Sequence, residues 1–210
     1  MAKIKTAIKK LSEFNDLIVE PDPVDQFIKW YQEAIKFKAD QPDAMLLSTA
    51  GLSGQPSGRI VLLKKVNNKG FVFFTNYLSF KGKEISVNPF VSLNFHWKEM
   101  ERQVRILGKA SKVSKKESDD YFNTRTIESQ VSAIISEQSS VVPGRQYLEN
   151  NVREFIKKNK GKTIKRPEYW GGYRVKPFQF EFWQGREHRL HDRIQYRLEK
   201  GKWMTERLAP

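Results

Sequence analysis

Residues 58–75 read Gly58-Arg59-Ile60-Val61-Leu62-Leu63-Lys64-Lys65-Val66-Asn67-Asn68-Lys69-Gly70-Phe71-Val72-Phe73-Phe74-Thr75. Two runs rich in β-branched and aromatic residues flank Asn67–Gly70, where asparagine and glycine tolerate the positive φ of a tight hairpin. The spacing predicts a strand over Gly58–Val66, a turn, and an antiparallel strand over Phe71–Thr75. The same pattern extends both ways. Ala44–Thr49 is a strand joined to the first by Gly51-Leu52-Ser53-Gly54-Gln55-Pro56. Val91–Trp97 and Gln103–Val113 are two more, linked by the charged segment Lys98–Arg102. Phe178–Trp183, Arg189–Leu198 and Trp203–Leu208 read as strands near the end, with Lys200-Gly201-Lys202 as the last hairpin turn. Short connections without β-α-β alternation argue against a doubly wound parallel sheet. They favour a mostly β, antiparallel sheet or barrel with helices packed outside.

Helices frame these strands. At Asp22-Pro23-Val24-Asp25, Asp22 can cap, Pro23 suits the first helical position, and Asp25 meets the positive helix end. Phe27, Trp30, Tyr31, Ala34, Ile35 and Phe37 then recur at helical spacing through Ala39, as in an amphipathic helix packed on a core. Phe80–Val87 is helical and stops at Asn88-Pro89. Residues 115–136 are helical with a polar break at Asn123–Thr126, and Pro143–Lys158 is a further helix. The expected organisation is a flexible, lysine-bearing arm over residues 1–20 and one domain over 21–210.

The composition narrows the class. Hydrophobic residues make up 39% of the 210, and aromatic residues 12%, too many for a disordered chain. There is no cysteine, which excludes disulfides, thiolate nucleophiles and cysteine-ligated zinc and suits a reducing compartment. Residues 1–17 carry lysines but no continuous apolar stretch, and no run approaches the roughly 20 apolar residues of a membrane span. A soluble, cytoplasmic protein with no membrane partner is expected. The formal net charge of +14 admits nucleic acid, an anionic membrane surface or small anionic ligands.

Position separates these basic residues. Lys3, Lys5, Lys9 and Lys10, and the lysines of 157–165, lie in segments that read as solvated surface. Others sit in structured apolar segments. Arg59 and Lys64 close a strand at both ends. Lys81 follows Ser79 at a helix start, where backbone N–H groups favour an anion. Arg189, His191 and Arg193 alternate along a predicted strand and would share one face. Such a set needs either an anionic or flat ligand opposite, or carboxylates such as Glu181 or Glu187. The catalytic inventory is thin: three histidines, no metal-ligand set, no HExxH, P-loop, GxGxxG or GxSxG. Difficult chemistry should therefore belong to a cofactor.

Several segments carry a resemblance: Arg59–Lys64, Glu101-Arg102-Gln103-Val104, Ser136-Glu137-Gln138-Ser139-Ser140, Tyr169-Trp170-Gly171-Gly172-Tyr173-Arg174, Glu181-Phe182-Trp183-Gln184-Gly185-Arg186-Glu187-His188-Arg189-Leu190-His191-Asp192-Arg193 and Glu206-Arg207-Leu208-Ala209-Pro210. In this order, the chain from Asp22 to Pro210 resembles the pyridoxine/pyridoxamine 5′-phosphate oxidases. The resemblance implies a six-stranded antiparallel split β-barrel with peripheral helices, a homodimer, and FMN at the subunit interface. It also implies that 165–210 serves dimerisation and substrate binding within the single FMN-binding domain.

Residue by residue, it implies that Arg59 and Lys81 hold the FMN phosphate, helped by Gln138 and Ser139 from the other subunit. Ile60, Val61, Leu62 and Leu63 would lie along the flavin with Phe74 and Thr75 beside it. Gln103 would meet its polar ring edge, and Trp183 and Arg193 its ring system. Lys64, Tyr121, Arg125 and Ser129 would grip the substrate phosphate, and Arg189 and His191 would face the substrate ring. Two departures stand out. Ser79-Phe80-Lys81 replaces the family's Ser-Arg-Lys, and losing one charge-assisted bond worth about 1.5–3 kcal/mol would weaken FMN binding about tenfold unless a neighbour compensates. The arm around Lys10–Phe14 lacks the family's substrate-covering residues.

The implied reaction is oxidation of pyridoxine or pyridoxamine 5′-phosphate to pyridoxal 5′-phosphate, with O2 as acceptor and H2O2 as product. A proton-transfer role and a purely positioning role for His191 stay open. The alternatives are a non-catalytic split-barrel protein that binds flavin or pyridoxal phosphate, and a nucleic-acid binder. The dispersed lysines speak against nucleic acid as a partner.

Overall fold

Nine strands form one sheet in the computed structural model, which describes residues 19–210. The arm expected over 1–20, with Lys3, Lys5, Lys9 and Lys10, lies almost wholly outside the described residues. In chain order the elements are α1 (Pro23–Phe37), β1 (Ala44–Ala50), β2 (Pro56–Leu62), β3 (Lys65–Asn67), β4 (Gly70–Asn76), α2 (Phe80–Val87), β5 (Phe90–Trp97), β6 (Arg102–Lys112), α3 (Lys115–Asn123), α4 (Ile127–Ile135), α5 (Arg145–Lys158), β7 (Trp170–Gln184), β8 (Asp192–Glu199) and β9 (Lys202–Arg207). Every strand pairing is antiparallel.

The path through the sheet is β2-β1-β5-β6-β7-β4-β3, and β8 and β9 extend from β7. β2 and β3 stand at opposite ends of that path, yet only Leu63 and Lys64 separate them in the chain. The sheet must therefore curl until its two edges meet. The link is stitched to both: Leu63 N–H donates to Asp43 O beside β1, and Lys64 N–H donates to Val72 O in β4, each at 2.8 Å. The expected barrel is thus present, with its six-stranded run completed by the short β3. The strand expected over Gly58–Val66 is broken at this closure.

The expected cap of α1 is in place, with Asp22 Oδ1 accepting from Val24 N at 2.7 Å. α1 closes the barrel core: Phe27 lies 4.8 Å from both Phe71 and Phe95, and Trp30 meets Phe182 edge-on at 5.3 Å. Each such buried aromatic contributes roughly 1.5–3 kcal/mol. A second cluster, Phe122, Ala133 and Trp170, packs α3 and α4 against the start of β7.

Two boundaries near the C-terminus differ from the expectation in ways that bear on the site. β7 begins at Trp170, eight residues before Phe178. Pro177 hides the continuity, since proline cannot donate to a ladder, and the strand absorbs it opposite a register shift at Leu107/Gly108. β8 begins at Asp192, so Arg189 and His191 are not on it. Residues 187–189 form a short turn in which His188 and Arg189 both take left-handed backbone, φ 57° and 61°. Arg189, His191 and Arg193 therefore do not share a strand face. Among the described residues, no helix is long and apolar enough to cross a membrane and no acidic or histidine cluster could hold a metal ion.

Candidate active site

Strands β2 and β4 and the α3–α4 layer border a cavity of about 310 Å³. Ile60, Val61 and Leu62 line it from β2, and Phe74 and Thr75 from β4. Lys64, Lys81, Tyr121, Arg125 and Gln138 bring polar groups to the same space. Sequence reasoning named all of these. It missed Trp170, which also lines the cavity and carries the Arg125 guanidinium 4.6 Å above its ring. The signal was its place in the quoted Tyr169–Arg174 segment, to which no role was attached. Phe74 stacks face to face on Tyr121 at 3.8 Å, so the aromatic rings on one side of the cavity brace each other.

Its cations are incompletely matched. Lys81 is only 8% exposed, and burial, followed by the Arg59 charge, lowers its ammonium to a pKa of about 8. Among the described residues its Nζ reaches only neutral oxygens, Gln138 Oε1 at 3.0 Å and Thr75 Oγ1 at 3.3 Å. Burial also pulls the Arg125 guanidinium down, and its Nη1 is buried with no hydrogen-bond partner among the described residues. A buried donor left this way costs about 1–3 kcal/mol, a cost that an anionic ligand would relieve. Lys64 Nζ is paired with Asp43 at 3.0 Å, which engages one of its three N–H donors. An apolar wall from β2 and β4 beside two undercompensated cations fits a phosphorylated, ring-bearing cofactor such as FMN.

Arg59 stands behind this wall. Its guanidinium is bonded to the Thr49 and Ser57 hydroxyls and paired with Glu84 at 3.4 Å. Burial opposes the charge on Glu84, but the Ser57 and Thr49 hydroxyls and Arg59 outweigh it and hold the carboxyl below its usual range. Leu63 points into the core, 4% exposed, and Ser129 sits on the first turn of α4, its N–H donating to Thr126 Oγ1 at 3.3 Å. The loop after α4 folds onto its own chain. Gln138 bonds Lys81 and Thr75, Ser139 Oγ accepts from Phe80 N at 3.2 Å, and Asn76 Nδ2 donates to Ser136 O at 3.2 Å. Within one chain Gln138 and Ser139 thus already sit beside Lys81 and the start of α2, whereas the resemblance implied that they help hold the FMN phosphate from the other subunit. Phe80, 58% exposed, opens α2 without supplying a charge.

The remaining predicted residues gather at the other end of β7. Gln103, Trp183 and Arg193 lie in one row across β6, β7 and β8. The carboxylate reading holds for Arg193, whose Nε donates to buried Glu181 at 2.9 Å; Glu181 also binds Arg105. His191 lies 4.7 Å from the Trp183 ring, and its Nδ1 accepts from Arg186 N–H at 3.1 Å. In the neutral ring that bond leaves the proton on Nε2, which makes this nitrogen a donor. Arg189 is exposed on the strained turn. Phe74 pairs with Gly172, eleven residues before Trp183, and at ~3.3 Å per residue the two groups are separated by about 35 Å of strand.

Comparison with known proteins bears on this arrangement. A family model described as Pyridoxamine 5′-phosphate oxidase matches residues 31–159, and one described as Pyridoxine 5′-phosphate oxidase C-terminal dimerisation region matches residues 170–210. The chain is 51% identical over 201 residues to a pyridoxine/pyridoxamine 5′-phosphate oxidase of Cupriavidus taiwanensis, covering 95% of this chain and 94% of the relative. It is 48% identical over 192 residues to that of a Cyanothece species, covering 91% and 90%. Among solved structures it is similar to PhzG from Burkholderia lata in complex with tetrahydrophenazine-1-carboxylic acid, with TM-score 0.90, 27% identity and coverage of 95% and 98%. An FMN-binding protein from Nostoc punctiforme related to pyridoxamine 5′-phosphate oxidase shares the fold, with TM-score 0.71, 14% identity and coverage of 90% and 98%.

Proposed function

The chain belongs to the pyridoxine/pyridoxamine 5′-phosphate oxidase family, and on that premise we propose that it is an FMN-dependent oxidase converting pyridoxine 5′-phosphate and pyridoxamine 5′-phosphate to pyridoxal 5′-phosphate. FMN, when bound, would supply the acceptor for hydride from the substrate C4′ carbon, with O2 as final acceptor and H2O2 as product. The observation that carries the reading is the cavity in which the undercompensated cations Lys81 and Arg125 join an apolar wall from β2 and β4.

The protein's part is mainly orientation. Lys81 and Gln138 hold the cofactor phosphate, with Arg59 adding charge from behind and Ser139 fixing the loop. Ile60–Leu62, Phe74 and Thr75 support the flavin. Lys64, Tyr121, Arg125 and Ser129 hold the substrate phosphate. Gln103, Trp183 and Arg193 meet the flavin ring, and Arg189 and His191 face the substrate, with His191 Nε2–H as a donor. One chain presents these groups about 35 Å of strand apart, at ~3.3 Å per residue, so a complete site takes the β4 end from one subunit and the β8 end from its partner. This agrees with a homodimer built through residues 170–210. We take 21–210 as one FMN-binding domain with its dimerisation and substrate segment at 165–210, acting in the cytoplasm.

The test is a visible spectrum of the purified protein. Flavin absorption should bleach when pyridoxine 5′-phosphate is added without oxygen, and aerobic turnover should release peroxide. Tight flavin binding with no turnover of either B6 phosphate would leave only the non-catalytic split-barrel reading.

A further inference from the structure

Residues 186–190 are exposed, and two of them, His188 and Arg189, hold left-handed backbone without being glycine. Such conformations persist only where the surroundings enforce them. Within this segment, among the described residues, Leu190 N–H donates to Glu187 O and Arg186 N–H donates to His191 Nδ1. Further restraint comes from the C-terminus. Asp192, which sits between His191 and Arg193, accepts from Arg186 Nε through Oδ2 at 2.6 Å and from Arg207 Nη1 through Oδ1 at 2.9 Å. One carboxylate thus ties the turn to the end of β9. Beyond β9, Leu208 N–H donates to Arg193 O at 2.9 Å, which carries the ladder past its last paired residue. Ala209 O then accepts from Arg193 Nη1 at 2.6 Å. With Glu181 on Nε and Nη2, the Arg193 fork is held from two sides.

We propose that Arg207–Ala209 is a clasp that positions the active site: it sets the plane of the Arg193 guanidinium directly and the 186–191 turn through Asp192. Arg207, Asp192 and Ala209 are positioning residues, acting through Arg193, Arg189 and His191. The pairs are partly exposed, so each alone adds little to global stability. Their effect is on orientation, because a guanidinium held at both ends presents one fixed face. The role of the held residues rests on the proposed oxidase reading; the clasp itself does not.

Two variants test it, deletion of Ala209–Pro210 and Arg207→Gln. In the dimer without flavin, amide exchange across 186–193 should rise by up to about fivefold relative to wild type, the size expected from losing one partly exposed charged contact. In the flavin-loaded dimer, KM for pyridoxine 5′-phosphate should rise by a similar factor while the thermal unfolding midpoint holds. Arg207→Lys should recover most of the loss. Unchanged exchange and unchanged KM in both variants overturn the clasp, and so does a lower midpoint with exchange and KM unaltered. If the deletion fails to fold, Arg207→Gln and its lysine rescue decide alone. A wild-type protein that binds no flavin overturns the oxidase reading, and the exchange comparison still decides the clasp.

Discussion

Lys81 shows how one buried residue links charge to ligand. Its ammonium is pushed from the usual lysine value of 10.5 to about 8, first by burial and then by the Arg59 charge. The folded pKa is lowered, so below about pH 8 the group is charged in both folded and unfolded chains and the fold bears its full burial cost. Between about pH 8 and 10.5 the folded chain releases the proton first, and this group's contribution to the stability of the ligand-free protein rises with pH. A bound phosphate demands the opposite, since it requires the ammonium. Flavin affinity should therefore fall above pH 8, by up to about one log unit per pH unit. Fluorescence titration of flavin from pH 7 to 10 measures this. Lys81→Met should weaken binding and flatten the profile, and a profile flat in the wild type would count against Lys81 as the phosphate ligand.

At the scale of elements, β7 carries the site. Its Trp170-Gly171-Gly172 start lets α3 and Tyr77 approach closely: a Cβ on Gly171 would lie 2.3 Å from Tyr77 Oη and 2.8 Å from Ser118 Oγ. Gly171→Ala should cost roughly 1–3 kcal/mol by overpacking. It should also raise KM for the B6 phosphate, because α3 carries Tyr121 and leads into Arg125. Thermal unfolding and steady-state kinetics on one preparation check both, and an unchanged midpoint would mean that the contact yields easily. This strand was also the least legible in the sequence. Hairpin turns, the α1 cap and the apolar stripe of α1 are local signals, and they read correctly. Pro177 and the glycine pair broke the strand pattern, because a bulge and a close approach are tertiary accommodations. The alternation of Arg189, His191 and Arg193 looked like a strand because periodicity does not register positive φ. Most cavity residues were named through the resemblance, whereas the Glu84 support of Arg59 depends on a contact 25 residues away that no local pattern marks.

For the whole molecule the question is whether one chain can make a site. Lys81 and Arg125 border the cavity by β4, and Gln103, Trp183 and Arg193 lie at the far end of β7. If a two-fold partner brings the two groups together, every site draws one group from each chain. Defects in different groups should then complement. A Lys81→Met dimer has both sites broken at the phosphate end, and an Arg193→Met dimer has both broken at the ring end. A mixed dimer places both defects in one site and leaves the other intact. Random remixing in equal amounts makes about half the dimers mixed, with one good site in two, so activity should recover to about a quarter of wild type. The measurement is peroxide release after the two variants are unfolded and refolded together, against each refolded alone. If both groups served one site within a chain, each subunit of the mixed dimer would keep its own defect and no activity would return. Recovery near a quarter would thus identify the complete site as a property of the pair.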